Sequence, residues 1–150
     1  MTVSFNQKRS FRFGSVKNDG LKFQQKLKGS VMNFSVGDAR IHMVAKSGVT
    51  EEIPFGPEVL VYKVLGKMFA TLGFENEVGR MNLKCDPDRA LELRDEHEAV
   101  LPGYHMNKKH WNTLVLDGSL SGDLVSELID HSYDLVVEGM SKKLRESLEK

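Results

Sequence analysis

Apolar residues recur with helical spacing in two long segments of the chain. From Ser35 to Lys46 they approximate that spacing, and Gly48 supplies a stop at its end. From Asp123 to Gly139 they form a stripe at spacings of four and seven, which predicts the clearest amphipathic helix of the sequence. Both segments are therefore expected to place one apolar face against a core.

Four shorter segments favour β-strands, because they are rich in β-branched and aromatic residues or alternate polar and apolar residues with period two. Gly66 and Lys67 separate the first two segments, which predicts a hairpin. In the third segment, the alternation puts Met81, Leu83 and Cys85 on one face and the polar residues on the other. The predicted strands are Glu58–Val64, Met68–Leu72, Arg80–Cys85 and Trp111–Leu116.

A third helix is predicted to start at Asp86 and Pro87 and to run to about Glu98. The Asp side chain accepts an orphan backbone N–H, and proline at the first helical position sacrifices no hydrogen bond. The charged segment SKKLRESLEK at the end is expected to add a short helix or to fray. The resulting order, α-β-β-β-α-β-α, predicts an α+β two-layer sandwich, an antiparallel sheet with helices packed on one face and the other face open.

Composition indicates one ordinary globular domain. The chain has 150 residues, 40% of them hydrophobic and 28% charged, with four prolines, which is enough to bury a core but short for two domains. Cys85 is the single cysteine, so no intramolecular disulfide can form. Because no apolar run has the length of a membrane span and no signal peptide is visible, we expect a cytoplasmic protein without a membrane partner.

Charge is distributed unevenly although the whole chain is neutral. Residues 1–31 hold seven Lys or Arg and one acid, Asp19, a balance of +6 that leaves −6 for the remainder. We interpret residues 1–31 as a flexible basic N-terminal extension and residues 32–150 as the domain. The extension is either a phosphate-gripping arm, or a dispensable tail or upstream sequence before a start at Met32.

Four strings of the sequence closely resemble the MmcQ/YjbR family. They cover nearly everything after Met32, and the most diagnostic runs from Gly103 to Leu120. The sequence departs from the family pattern in its longer N-terminal segment and in Ser121, where a proline often precedes the last long helix. The strings are VTEEIPFGPEVLVYKVLGKMFATL, MNLKCDPDRALELR, PGYHMNKKHWNTLVLDGSL and ELIDHSYDLVVEGMSKKLR.

This resemblance implies two properties. The first is a fold similar to that of bacterial frataxin, with helices packed on an antiparallel sheet. The second is a DNA-binding role through a double-wing arrangement.

A candidate binding loop combines amide, cationic and aromatic groups directly before the fourth predicted strand. Such a loop suits phosphate contacts and a stacking or wedging ring. In the alternative interpretation, Trp111 anchors the core, His110 bonds the backbone and the two lysines are merely solvated. The loop residues are Asn107, Lys108, Lys109, His110 and Trp111.

A second candidate set lies on the polar face of the third predicted strand. Arg80, Asn82 and Lys84 share that face, and with Lys63 or Lys67 beside them the open sheet face would be locally positive. The alternative is that alternation puts polar residues on the solvent side of any half-buried sheet.

Other chemistry finds little support in the sequence. The five histidines lack a zinc signature, the glycines form no nucleotide fingerprint, and no general acid and base can be assigned. Cys85 is expected to be buried rather than nucleophilic. We therefore expect a protein that is not an enzyme and that needs no metal or cofactor.

The leading hypothesis is a non-enzymatic DNA-binding module, with DNA as its partner. The alternative is a frataxin-like metal-handling or scaffold protein, which would need an acidic ridge where the first helix offers only Asp38. A third hypothesis is a protein-interaction module, monomeric or weakly self-associating, that packs apolar residues such as Phe69 of the open face against a partner.

Overall fold

The computed structural model describes residues 34–54 and 58–148, and within them a six-stranded antiparallel sheet carries the helices. The predicted flexible extension, residues 1–31, lies outside the described residues. In the described part, no helix is long and apolar enough to cross a membrane. The helices are α1 (Val36–Val44), α2 (Pro87–Glu96), α3 (Gly122–Glu138) and α4 (Lys142–Ser147).

The sheet is a meander of four strands extended by a second hairpin. Its spatial order is β1-β2-β3-β4-β6-β5, and all neighbours are antiparallel. The last two strands in the chain therefore exchange places at the edge. The strands are β1 (Val49–Glu52), β2 (Val59–Val64), β3 (Lys67–Glu75), β4 (Val78–Lys84), β5 (Val100–Pro102) and β6 (Trp111–Leu116).

Side-chain caps fix where the helices begin. The Ser35 hydroxyl accepts from the Asp38 N–H while the Asp38 carboxylate accepts from the Ser35 N–H, which completes a capping box at α1. Asp86 caps α2 with Pro87 at its first turn, as the sequence predicts. Ser121 accepts from the Leu124 N–H and so caps the start of α3.

The predicted α+β architecture with an antiparallel sheet is confirmed. The four predicted strands and three predicted helices all form, and the charged end forms the short helix α4. The structure adds two short strands, β1 and β5, so the sheet has six strands rather than four. Both lie at an edge, where pairing with a neighbour defines the strand more than its own sequence does.

One hydrophobic core lies between the helices and the inner face of the sheet. It contains the alternating residues Met81 and Leu83 of β4 together with Val125 and Ile129 of α3, all essentially inaccessible to solvent. Ser132 is buried among them; its hydroxyl donates to the Phe69 carbonyl over 2.6 Å and accepts from the Lys84 N–H over 2.9 Å. This hydroxyl joins α3 to two strands of the sheet.

A β-bulge corrects the prediction for Phe69. The register shifts between Tyr62 and Lys63 of β2, so both Phe69 and Ala70 of β3 turn to the inner face. Phe69 is fully buried and meets the Tyr133 ring edge-on, with centroids 5.5 Å apart. The prediction that Phe69 offers an exposed contact on the open face was therefore wrong.

Candidate functional site

The polar residues of β4 face away from the helices and meet β6 side by side. Arg80 pairs with Val115, Asn82 with Thr113, and Lys84 with Trp111. We call this side of the sheet the outer face. Because directly opposed side chains lie about 5 Å apart at Cβ, the register brings Lys84 against Trp111, the residue that ends the predicted binding loop.

A hydrogen-bonded row crosses three strands on the outer face. The Asn82 amide donates to Thr71 Oγ1 over 2.9 Å, and the Thr113 hydroxyl donates to Asn82 Oδ1. Thr113 Oγ1 in turn accepts from the Tyr104 N–H over 3.0 Å. The sequence predicts that Asn82 contacts DNA, but the nitrogen and the oxygen of its side-chain amide both form hydrogen bonds within the sheet. Through Thr113, Asn82 also helps to position the loop.

Arg80 and Lys63 have carboxylate neighbours on the sheet. Arg80 Nε lies 3.6 Å from Glu75 Oε1, too far for a hydrogen bond, and this nitrogen is buried without a hydrogen-bond partner. Lys63 Nζ lies 3.0 Å from Glu52 Oε1, and β3 separates it from β4. The positive charge of both side chains is therefore partly neutralised within the fold.

Residues 103–110 connect β5 to β6 and form a turn with internal bonds. The Asn107 side chain accepts from the Lys109 N–H over 2.9 Å, and the Asn107 carbonyl accepts from the N–H groups of His110 and Trp111. Gly103 is buried against Trp111, so close that a Cβ on Gly103 would lie 2.8 Å from the Trp111 Cβ. Asn107 therefore shapes the loop through its side-chain oxygen and its backbone carbonyl.

Arg94 of α2 anchors the same loop from the helix side. Its Nε donates to Asn112 Oδ1 over 2.6 Å, while Nη2 donates to the carbonyl of Lys108 and, over 3.3 Å, to that of Trp111. The Asn112 amide reaches back to the Ala90 carbonyl of the same helix over 3.4 Å. Sequence patterns did not single out Arg94, because nothing in its neighbourhood distinguishes it from a solvated helix residue.

Two rings project from the loop into solvent. Tyr104 is 63% exposed, and its ring centroid lies 3.9 Å from that of His105, at an interplanar angle of 48°. His105 has φ +58°, a left-handed conformation that a residue with a side chain adopts only when its surroundings hold it there. The sequence analysis did not select Tyr104, although its place in the diagnostic segment offered a reason to do so.

Three lysines in this loop or opposite its end have no carboxylate partner within residues 34–54 and 58–148. They are Lys84, Lys108 and Lys109, of which Lys108 Nζ donates to the Gly103 carbonyl over 3.2 Å. His110 is half-buried, and its backbone carbonyl accepts a hydrogen bond from the Cys85 N–H. We give the name loop surface to a group of six residues, four of them exposed and two, Lys84 and Trp111, half-buried: Lys84, Tyr104, His105, Lys108, Lys109 and Trp111.

Cys85 adjoins this surface in sequence but belongs to the core. Its side chain is buried, and this burial raises the pKa of the thiol, an effect that the nearby Arg89 partly opposes. The thiol is therefore held in its neutral, unreactive form at neutral pH. Across the residues that the structure describes, no three His, Cys, Asp or Glu side chains group so as to hold a metal ion.

The fold and this surface define a small α+β protein with one antiparallel sheet, helices on its inner face and a cationic, aromatic loop at one end. A family model named YjbR matches residues 44–135, and the chain belongs to the YjbR family. The resemblance to MmcQ/YjbR proteins predicted from the sequence is therefore confirmed.

Relatives and solved structures agree with this assignment. The chain is 41% identical to the uncharacterised Escherichia coli protein YbdF over 60% of this chain and 74% of YbdF. It is 32% identical to uncharacterised Escherichia coli YjbR over 71% of this chain and 91% of YjbR. A Deinococcus radiodurans protein with a DUF419 domain has a crystal structure that superposes with a TM-score of 0.71 at 40% identity, covering 77% of this chain and 88% of that one.

Proposed function

We propose that this protein is a non-enzymatic DNA-binding module that contacts its partner through the loop surface. The observation that carries the proposal is the group of three lysines without carboxylate partners in the described residues, next to exposed rings. Ammonium groups without a competing carboxylate are available to phosphates, whereas Lys63 and Arg80 are already engaged.

Local rather than global charge supports the proposal. The chain outside residues 1–31 carries a formal balance of −6, so this part of the chain as a whole offers no attraction to a polyanion. Each lysine that neutralises a phosphate releases condensed counterions, which makes binding strongest at low salt. The loop surface is a place where this release can occur without first breaking an ion pair.

The hydrogen bonds that hold the loop also support DNA binding at this surface. Arg94 and Thr113 hold the loop backbone from two sides, so the lysines and rings are presented on an ordered segment. An ordered surface loses less conformational entropy on binding than a flexible surface does. Four of the predicted contacts keep a direct role in this proposal: Lys84, Lys108, Lys109 and Trp111. Asn82 and Asn107 help to position the loop. Arg80 and His110 are not part of the loop surface.

Fluorescence anisotropy of labelled DNA at several salt concentrations tests the proposal. The intact protein is compared with a Lys108→Ala, Lys109→Ala variant on duplex and on single-stranded DNA. If each lysine meets one phosphate, the slope of log affinity against log salt falls by about 1.8 on duplex. The matched control is Lys142→Ala, Lys143→Ala, which removes a neighbouring pair of lysines from α4, beside β1 at the other edge of the sheet.

Two outcomes contradict the proposal. The first is no binding of either form of DNA at low salt. The second is equal loss in the loop variant and the control variant, which would indicate unspecific attraction to any lysine. A shortened chain that starts at Met32 assigns any remaining binding to the first 31 residues or to the domain.

The frataxin-like alternative receives less support from the first helix. Asp38 is the carboxylate of α1, and it accepts hydrogen bonds from the Ser35 N–H and hydroxyl as part of the helix cap. A cap of this kind stabilises the helix start. It does not resemble an acidic ridge that would collect iron.

A further inference from the structure

We infer that the loop surface takes single-stranded rather than duplex DNA, with the Tyr104–His105 ring pair as the platform on which an unpaired base stacks. This inference rests on the proposed function and names its substrate class. It follows from three properties of the pair: its exposure, its fixed backbone and its position among the lysines.

Both rings of the pair are exposed to solvent. Tyr104 is 63% exposed although a tyrosine ring gains from burial. The adjacent His105 ring is also exposed and in contact with it, so the two rings, tilted by 48° to each other, together present an aromatic surface to solvent. Every nucleobase has a π-face, and base–aromatic stacking is tolerant of sequence.

The backbone beneath the rings is held by the sheet. Thr113 Oγ1 accepts from the Tyr104 N–H, and the same hydroxyl donates to Asn82, which in turn donates to Thr71. His105 is kept in the left-handed region, which residues other than glycine adopt only infrequently. The backbone that carries the two rings is thereby held in place before a base arrives.

Lysines flank the rings in a way that suits a single strand. Lys108 and Lys109 follow in the same loop, and Lys84 lies opposite Trp111 at its end. A strand whose phosphates contact these lysines can turn its bases toward the rings. In a duplex the base faces are already stacked on each other, so the same rings could reach only base edges and backbone.

Competition between two oligonucleotides tests the inference on the full chain. Labelled oligothymidine of about 15 nucleotides, within the range of single-strand sites, is compared with a duplex of the same length. We expect tighter binding of the single strand by the intact protein. Tyr104→Ala should weaken that binding by about 5- to 150-fold, the range for loss of one stacked base, and change duplex binding less than twofold.

Two control variants separate stacking from other effects. Tyr104→Phe keeps the ring and should bind like the intact protein. Phe74→Ala removes a ring that is 62% exposed at the far end of β3, and it should leave binding unchanged. Circular dichroism and thermal midpoints verify that each variant is folded.

Each result decides the inference. Tighter duplex binding, or a Tyr104→Ala variant that binds oligothymidine as well as the intact protein, overturns it while lysine-dependent DNA binding still stands. Binding of neither oligonucleotide overturns the proposed function together with it.

Discussion

Arg94 donates a 2.6 Å hydrogen bond from Nε to the side-chain oxygen of Asn112, and this contact ties α2 to the strand that follows the loop surface. Asn112 is almost fully buried, with 1% of its surface exposed. The hydrogen-bond partners of the Asn112 side chain are therefore protein groups, and Arg94 is the charged partner among them. Arg94 also reaches the backbone of Lys108 and Trp111, so one guanidinium orders both ends of the lysine segment.

Replacing Arg94 by alanine should lower the free energy of unfolding by about 1.5–3 kcal/mol, the range for a hydrogen bond to a charged group whose partner is buried. Urea denaturation measures this loss. Arg94→Lys should recover only part of it, because an ammonium cannot reproduce the planar fork. Arg89→Ala is the control; its exposed pair with Glu127 should contribute less than about 1 kcal/mol. Equal losses in the Arg94→Ala and Arg89→Ala variants would show that the loop does not depend on Arg94.

Gly103→Ala should destabilise the protein and disturb its single tryptophan. The added Cβ would lie 2.8 Å from the Trp111 Cβ and 2.9 Å from the Trp111 carbonyl, too close for ordinary contact. Overpacking of this kind costs about 1–3 kcal/mol. Because Trp111 is the one tryptophan, a shift in its fluorescence emission reports the displacement directly.

Gly66→Ala provides the comparison for that experiment. Gly66 has φ +85° with nothing near its missing Cβ, so alanine there meets backbone strain without crowding. The strain costs about 1–2 kcal/mol, and the tryptophan emission should stay unchanged. An emission shift in the Gly66 variant but not in the Gly103 variant would contradict the packing described for Trp111.

Glu51 should make stability depend on acid pH. Hydrogen bonds of 2.6 and 2.8 Å from Arg40, and one of 2.6 Å from the Tyr62 hydroxyl, lower the pKa of Glu51 in the folded protein below its ordinary value of 4.5. A lowered folded pKa means that the stabilisation is present above about pH 4.5 and is lost as the pH falls through the folded pKa.

Glu51→Gln should therefore be less stable than the intact protein at neutral pH, with a difference that shrinks in acid. Urea unfolding at a series of pH values from about 3 to 7 measures it. Glu146→Gln, in an exposed pair with Lys142 at 4.0 Å, is the control and should change stability by less than about 0.5 kcal/mol. A constant difference for Glu51→Gln across the series would show that the carboxylate is not the stabilising form.

Alternation and capping were sufficient to predict most of the fold. The sequence predicts β4 because Met81 and Leu83 alternate with polar residues, and α2 because Asp86 precedes Pro87. The edge strands β1 and β5 are not predictable in the same way, since four and three residues are too few to display a period. The burial of Phe69 was not predicted, because a β-bulge changes the sheet face on which a residue lies and has no signature in the sequence of the strand.

The sequence predicts the charged and aromatic residues of the candidate site but not the residues that position them. Lys108, Lys109 and Trp111 could be selected because cations and aromatics cluster in the sequence, and Lys84 because it lies on the polar face of its strand. The register of β4 and β6 then places Lys84 beside Trp111. Thr113 could not be selected, because its importance comes from a hydrogen bond to a backbone nine positions away across a loop. Such long-range positioning is a property of the tertiary structure alone.

The two borders of the sheet limit how the protein can meet another molecule. β1 is four residues long and carries Glu51 and Glu52, while β5 is three residues long and ends in Pro102, which has no N–H to offer. Short, charged or proline-bearing edges resist the addition of a foreign strand. Recognition by backbone augmentation is thereby discouraged at both sides, and affinity must come from side chains projecting from loops and faces. Substitutions of those side chains can therefore change which ligand is bound without destabilising the sheet that carries them.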